Sequence, residues 1–338
     1  MSEGIRLAIV GATGAVGQEM LKILEQRQLN IKELICLADP REEGTIVNFK
    51  GEDIVVRGAS SEAFKKADIA LFAVGTDVSK ALAPDAIREN CTVIDNSYAF
   101  RMDENTPLVV PEVNPEDISL HKGIIANPNC STIIMAVAIN PIHKAAKLKR
   151  VIVSTYQAVS GAGKAGIDEL TQHARAFMDG DEVKLDVFSH QIAFNVIPHI
   201  DVFVDDAYSR EEMKMVWETR KIMHVPDLKI AATAVRVPVY RSHSESINLE
   251  TEKALAPEEA RDILSKAPGI IIQDDPGNNI YPMPLYTANS DEVFVGRIRK
   301  DISNDNGIAM WVAADQIRKG AATNAIQIAE IVVEKNLY

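Results

Sequence analysis

Along the first part of the chain, short apolar runs alternate with segments that repeat apolar residues at helical spacing. IRLAIV at 5–10 ends in a glycine-rich turn, and QEMLKILEQ follows with Met20, Leu21 and Leu24 on one face, which predicts strand, turn and helix. Further apolar runs at 34–38, 69–74 and 92–94 are separated by polar or helix-like segments such as 78–89. That alternation predicts an α/β region with a parallel, doubly wound sheet, holding to about residue 128. Beyond it, 151–157, 228–239, 245–249, 269–272 and 293–298 read as strands, and 166–178, 210–222 and 257–266 as helices. Strands now outnumber helices, so a second, α+β domain on a mixed or antiparallel sheet is expected. The stretch 311–334 reads as a long helical pattern starting near AADQIRKGAATNA, and 274–284, rich in Asp, Asn, Pro and Gly, as a loop.

Composition narrows the classes. The 338 residues are 46% hydrophobic and carry 36 Lys and Arg against 48 Asp and Glu, a net charge of −12. A chain of this length suits about two domains at roughly 150 residues each and buries a core without disulfides. Cys36, Cys91 and Cys130 form no CxxC pair and no Cys/His cluster at zinc spacing. No metal is expected, and a reducing, cytoplasmic setting is. The acidic balance argues against nucleic acid, since Lys147, Lys149 and Arg150 are too few for a phosphate-binding face. The longest apolar stretch, 133–139, is far short of the ~20 residues that span a bilayer. The segment MSEGIRLAIVGATGAVG lacks the basic start and continuous apolar core of a signal peptide.

Two constellations carry chemistry. Gly11, Gly14 and Gly17 of GATGAVG directly follow the first strand and open the first helix. A tight turn there lets backbone N–H groups and the helix N-terminus meet a pyrophosphate, as in a Rossmann-type dinucleotide site. The spacing is GxxGxxG, with Thr13 where the usual fingerprint has glycine. At the end of the second strand Asp39 favours NAD, whereas Arg41 suits the 2′-phosphate of NADP; Glu42 follows. The second constellation is one cysteine. Cys36 and Cys91 lie in apolar runs and read as small buried hydrophobes. Cys130, in NPNCSTIIMAV, stands where an apolar helix begins, and the helix N-terminus favours its thiolate. A cysteine nucleophile beside a nicotinamide can oxidise an aldehyde through a thiohemiacetal to a thioester.

Longer motifs make the chain resemble the aspartate-β-semialdehyde dehydrogenase family over nearly its whole length. They are GATGAVG, DNSYAFRMD at 95–103, VPEVN at 110–114, NPNCST at 127–132, STYQAVSGAGKAG at 154–166, EEMKMVWETRKI at 211–222, VRVPVYRSHSES at 235–246 and AADQIRKGAATNA at 313–325. The resemblance implies a cofactor domain at 1–128, a catalytic and dimerisation domain at 129–315, and a C-terminal helix at 316–338 returning to the first domain. It implies Cys130 as acyl-enzyme nucleophile, His243 as acid/base, Gln157 on the substrate or acyl-thioester, and Arg236 clamping the substrate carboxylate. Arg101 and Lys214 match a phosphate-binding pair, and Glu211 an acid for the substrate ammonium or for orienting the lysine. For the cofactor, Gly11, Thr13, Gly14, Ala15 and Val16 match the phosphate loop, Arg41 the 2′-phosphate contact, and Ser160 and Gly161 a loop near the nicotinamide. Asp39 and Glu42 stand where members often have neutral residues, which leaves NAD beside NADP as cofactor. Gln316 replaces a frequent asparagine. The six other histidines, among them His173, are expected at the surface or as caps. The implied reaction is the reversible conversion of 4-phospho-L-aspartate to L-aspartate 4-semialdehyde, in lysine, diaminopimelate, threonine and methionine synthesis, by a homodimer or homotetramer. A related acyl-phosphate reductase, such as one acting on N-acetyl-γ-glutamyl phosphate, and a non-catalytic paralogue are the alternatives.

Overall fold

Short runs of branched apolar residues that feed glycine-rich turns need cover on both faces, and they receive it in the first half of the fold. The computed structural model describes residues 4–338. These form two compact units, the first running to Asn129 and resuming at Ala321–Tyr338, the second Cys130–Gly320.

The first unit contains strands β1 (Ile5–Val10), β2 (Ile31–Ala38), β3 (Ile46–Phe49), β4 (Glu52–Val55), β5 (Arg57–Gly58), β6 (Ile69–Phe72), β7 (Thr92–Asp95) and β8 (Ile124–Ala126), with helices α1 (Ala15–Gln26), α2 (Ser61–Phe64) and α3 (Thr76–Arg88). A parallel sheet runs in the order β5-β2-β1-β6-β7-β8. In β1 residues 7–10 are all buried, which accounts for its unbroken apolar run. One face packs Ile5, Leu7 and Ile9 against Met20, Ile23 and Leu24 of α1 and against Ala325, Ile326, Ile328 and Ala329 of the C-terminal helix. The other face buries Ala8 and Val10 with Phe64 and Phe72. The hairpin β3–β4 carries no alternation strong enough to predict it. Its turn residues Lys50 and Gly51 both adopt positive φ, 52° and 81°, the backbone of a tight two-residue hairpin.

The second unit continues with α4 (Cys130–Ala146), α5 (Gly163–Asp179), α6 (Arg210–Ile222), α7 (Pro257–Ser265) and α8 (Pro284–Thr287), and strands β9 (Leu148–Gln157), β10 (Lys229–Arg236), β11 (His243–Thr251), β12 (Ile270–Ile272), β13 (Val293–Lys300) and β14 (Gly307–Ala314). Its mixed sheet runs β10-β9-β11-β14-β13-β12. β10 pairs parallel to β9 and β12 to β13, and the remaining neighbours are antiparallel. Helix α4 is apolar all round and its residues from Ser131 to Asn140 are all buried, as that pattern requires. In β9 the period of two sends Val153, Thr155 and Gln157 inward and leaves Ile152 and Tyr156 on the open face.

The 311–334 reading needs correction. Trp311–Ala314 complete β14, a π-helical turn spans Arg318–Ala322, and helix α9 begins only at Thr323, running to Glu334. The run AMWVAA is apolar without interruption, so periodicity alone does not separate a buried strand from a buried helix there. Among the described residues no helix is long and apolar enough to cross a membrane.

Candidate functional site

Register sets the site of the second unit. Gln157 at the end of β9 lies opposite Arg236 at the end of parallel β10, and antiparallel β11 starts beside them at His243. Cys130 is the first residue of α4, and its Sγ lies 3.6 Å from His243 Nε2. His243 is fully buried, and its Nδ1 accepts the Ala158 N–H at 3.1 Å. The neutral ring therefore carries its hydrogen on Nε2, the nitrogen that faces sulfur. Burial, and then the Arg236 guanidinium, push this imidazole well below its ordinary pKa. Arg236 is itself buried and donates from Nη1 to Ala158 O at 2.7 Å. Burial lowers its pKa against the opposing pull of Glu211 and Cys130, which still leaves an arginine charged.

Two glycines make this approach feasible. A Cβ on Gly161 would stand 2.6 Å from Arg236 Nη1 and 3.4 Å from His243 Cε1, and one on Gly320 would stand 2.9 Å from Cys130 Cβ.

Gln157 is buried. Its Nε2 lies 2.9 Å from Ser131 Oγ, 3.3 Å from Thr155 Oγ1 and 3.2 Å from Glu211 Oε1. From there a line of charge continues along α6: Glu211 Oε2 accepts Lys214 Nζ at 3.1 Å, and Lys214 reaches Asp201 Oδ2 at 2.9 Å. Burial works to raise the Asp201 pKa, but hydrogen bonds from Arg210 and Lys214 hold it well below the usual carboxylate range. Burial likewise works to lower the Lys214 pKa, yet Glu211 and Asp201 keep it raised. Ser209 and Glu212 close a capping box at the start of α6, and Glu212 Oε1 also accepts the Ala234 N–H at 2.9 Å. That bond fixes Glu211 and Lys214 relative to β10.

Gln316 braces the histidine from behind. Its Oε1 accepts the Ser242 N–H at 2.9 Å and its Nε2 donates to Ser160 Oγ. Ser242 has φ of +75°, a left-handed conformation uncommon for serine. A 2.6 Å bond between its hydroxyl and Thr287 Oγ1 adds a second restraint.

In the first unit, Gly11 has φ of +87°, and a Cβ there would meet Ala73 O at 2.4 Å; one on Gly17 would meet Gly11 O at 2.1 Å. Both glycines are required by the turn itself. Helix α1 begins at Ala15, so the N–H groups of Ala15 and Val16 belong to its first turn, where anions bind. The cradle fits a dinucleotide pyrophosphate. At the end of β2, Arg41 and Asp39 form two parallel bonds of 2.9 and 2.8 Å, and Thr13 donates to Glu42 Oε2 at 2.9 Å. Arg101 is buried, with Nη2 donating to Asn96 O at 2.7 Å. Burial pushes the Cys36 thiol up to about 11 and the Cys91 thiol up to about 12, which keeps both protonated.

The second unit thus gathers Cys130, Gln157, Ser160, Gly161, Glu211, Lys214, Arg236, His243 and Gln316, while the first holds the phosphate turn, Arg41, Glu42 and Arg101. Asp201 lies outside every motif, and although Ser131 and Gly320 lie within NPNCST and AADQIRKGAATNA, only the contacts reveal that these three residues meet Lys214, Gln157 and Cys130. His173 is neither at the surface nor a cap: it is buried, with Nε2 2.6 Å from Lys184 O.

Residues 6–121 match the family described as semialdehyde dehydrogenase, NAD binding domain, and residues 139–319 that described as semialdehyde dehydrogenase, dimerisation domain. An aspartate-semialdehyde dehydrogenase of Aquifex aeolicus is 56% identical over 99% of each chain. Aspartate semialdehyde dehydrogenase II of Vibrio cholerae, solved in complex with ASA, superposes with a TM-score of 0.96 at 46% identity, covering 98% of this chain and 99% of that one. The Candida albicans enzyme solved with NADP superposes at 0.79 and 25% identity, covering 99% of this chain and 100% of that one. With both domain families matched in order and relatives aligned end to end, this chain belongs to the aspartate-semialdehyde dehydrogenase family of oxidoreductases.

Proposed function

We propose that this chain converts 4-phospho-L-aspartate reversibly to L-aspartate 4-semialdehyde and phosphate through a thioester on Cys130, with NADP as hydride carrier. The observation that carries the reading is the 3.6 Å approach of Cys130 Sγ to the hydrogen-bearing Nε2 of buried His243, flanked by buried Arg236. In the reductive direction the Cys130 thiolate forms a C–S bond to the acyl carbon, and phosphate departs with the C–O pair. Bound NADPH would supply the hydride that reduces the thioester carbon, and NADP⁺ would accept it in the reverse direction. The tetrahedral oxyanion then collapses: the C=O bond re-forms, the C–S bond breaks, and its pair returns to sulfur as the aldehyde leaves. Because a thiolate both attacks and departs, no proton need pass through the imidazole in this direction. His243 donates from Nε2 to sulfur or to the developing oxyanion, a narrower role than the acid/base one the resemblance implies.

Arg236 offers a planar fork to the substrate carboxylate, and Glu211 a carboxylate to its ammonium. Lys214 and Arg101 serve the phosphate, and Gln157 holds the acyl carbonyl. In the cofactor site, Gly11, Thr13, Gly14, Ala15 and Val16 take the pyrophosphate and Arg41 the 2′-phosphate, while Ser160 and Gly161, braced by Gln316, lie toward the nicotinamide. Asp39 and Glu42 oppose a 2′-phosphate, which keeps NAD as the alternative. The working form is a homodimer or homotetramer in the cytoplasm, serving lysine, diaminopimelate, threonine and methionine synthesis.

Initial rates of phosphate-dependent aspartate-semialdehyde oxidation, with NADP⁺ and NAD⁺ in parallel, test the reading. Faster turnover with NADP⁺ is expected, and equal or faster rates with NAD⁺ would overturn the cofactor assignment. Preference for the semialdehyde of N-acetylglutamate would overturn the substrate.

A further inference from the structure

We propose that Phe188 is a positioning residue for Arg236, held in place by a clamp on α5 formed by Glu169 and His173; this rests on the reading that Arg236 binds the substrate carboxylate. The guanidinium carbon of Arg236 lies 5.9 Å from the centre of the Phe188 ring, within the range where a cation is drawn to an aromatic face. Arg236 is buried, so the attraction acts on a poorly hydrated charge, where it is strongest. One nitrogen, Nη1, is already committed to Ala158 O. A ring face beneath the guanidinium carbon and a carbonyl at one corner together restrain where the remaining donors point.

The segment 181–196 that carries Phe188 has no regular secondary structure; buried side chains of α5 dock it. Glu169 accepts the N–H groups of Val187, at Oε2, and of Phe188, at Oε1, the latter at 3.1 Å. His173 accepts the Ile192 N–H at Nδ1, 3.2 Å, which places its hydrogen on Nε2 for donation to Lys184 O at 2.6 Å. Two buried polar residues, one helical turn apart, thus bind the segment on both sides of Phe188. Gly166, on the same helix, admits the ring: a Cβ there would lie 3.2 Å from Phe188 Cζ and 2.5 Å from Val159 O. Ile192, Ala193 and Ile197 join Val159 and Leu170 in the cluster on which Phe188 rests. A clamp used only for stability would not need its aromatic residue turned toward an active-site cation.

The test is steady-state kinetics of the full-length enzyme carrying Phe188→Leu, Phe188→Tyr, Glu169→Gln, Arg236→Lys, and Phe188→Leu with Arg236→Lys. Phe188→Leu keeps apolar bulk and loses the ring. It should raise the KM for aspartate semialdehyde by roughly two- to thirty-fold, while kcat, the KM for phosphate and the alkylation rate of Cys130 stay near those of the parent. Phe188→Tyr should restore the parental KM, and Glu169→Gln should reproduce the KM rise with the ring intact. In the Arg236→Lys background Phe188→Leu should add little, since the planar partner is gone. A raised KM in Arg236→Lys with an unchanged KM in both Phe188→Leu and Glu169→Gln overturns the positioning role alone. An unchanged KM in Arg236→Lys overturns the reading of Arg236 itself. Equal losses in the Leu and Tyr enzymes that follow a fall in thermal midpoint reduce the clamp to a purely structural one and also overturn the proposal.

Discussion

Substituting Gly161 by alanine adds one carbon at a point where Arg236 and His243 converge. The backbone at Gly161 is not in the left-handed region, so alanine brings no conformational strain, and the effect is one of contact alone. The new Cβ would lie 2.6 Å from Arg236 Nη1, far inside ordinary contact, and 3.4 Å from His243 Cε1, at its edge. Arg236 must therefore move while His243 need not. The guanidinium is buried and tied to Ala158 O at 2.7 Å, so moving it sacrifices a hydrogen bond from a charged donor, about 1.5–3 kcal/mol. If that loss falls on substrate binding, the KM for aspartate semialdehyde rises roughly 10- to 150-fold. Initial rates with the semialdehyde varied, at saturating phosphate and NADP⁺, measure it, with a thermal melt as the folding control. A KM within about twofold of the parent in a normally folded protein would refute the claim that Gly161 exists to admit Arg236.

Cys130→Ser should lower turnover by about a thousandfold or more, whereas Cys36→Ser and Cys91→Ser should leave it within about twofold; iodoacetamide at pH 8 should likewise label Cys130 alone, read by peptide mapping. Asp39→Ser frees Arg41 from its carboxylate partner and should shift kcat/KM toward NADP⁺ relative to NAD⁺, and an unchanged ratio would show that the pair does not face the 2′-phosphate. Glu245 is fully buried, neither carboxylate oxygen has a hydrogen-bond partner among the described residues, and burial pushes its pKa well above the ordinary value. A raised folded pKa favours the protonated form, so this group lowers stability progressively as pH rises above about 4.3, where the unfolded chain ionises. The melting advantage of Glu245→Gln over the parent should therefore grow from pH 4.5 to pH 8, and a difference independent of pH would contradict a neutral carboxyl.

The first unit was the most legible part of the sequence, because strand, glycine turn and helix alternate there and the central strands β1, β6 and β7 are buried on both faces. Gly11 and Gly17 also announce themselves, since the turn leaves no room for a side chain at either. The end of β14 reads as helix because Trp311 to Ala314 are apolar without alternation, a pattern that a buried strand and a buried helix share. The sequence isolates Cys130 among three cysteines by its polar neighbours and the helix that follows. His243 has no such local mark; among seven histidines it stood out only through the VRVPVYRSHSES motif. His173, expected at the surface or as a cap, is instead buried, with two backbone groups of a neighbouring loop satisfying both ring nitrogens. The link from Lys214 to Asp201 spans two segments that meet only in three dimensions, as do Phe188 and Arg236, and no spacing rule reaches across such a gap.

Rapid quench of the enzyme with 4-phospho-L-aspartate in the absence of reduced nucleotide, followed by peptide mass spectrometry, tests the covalent route most directly. The account predicts an aspartyl adduct on the peptide bearing Cys130, removed by NADPH at the rate of turnover. Full catalytic turnover with that peptide unmodified at every time point would contradict it.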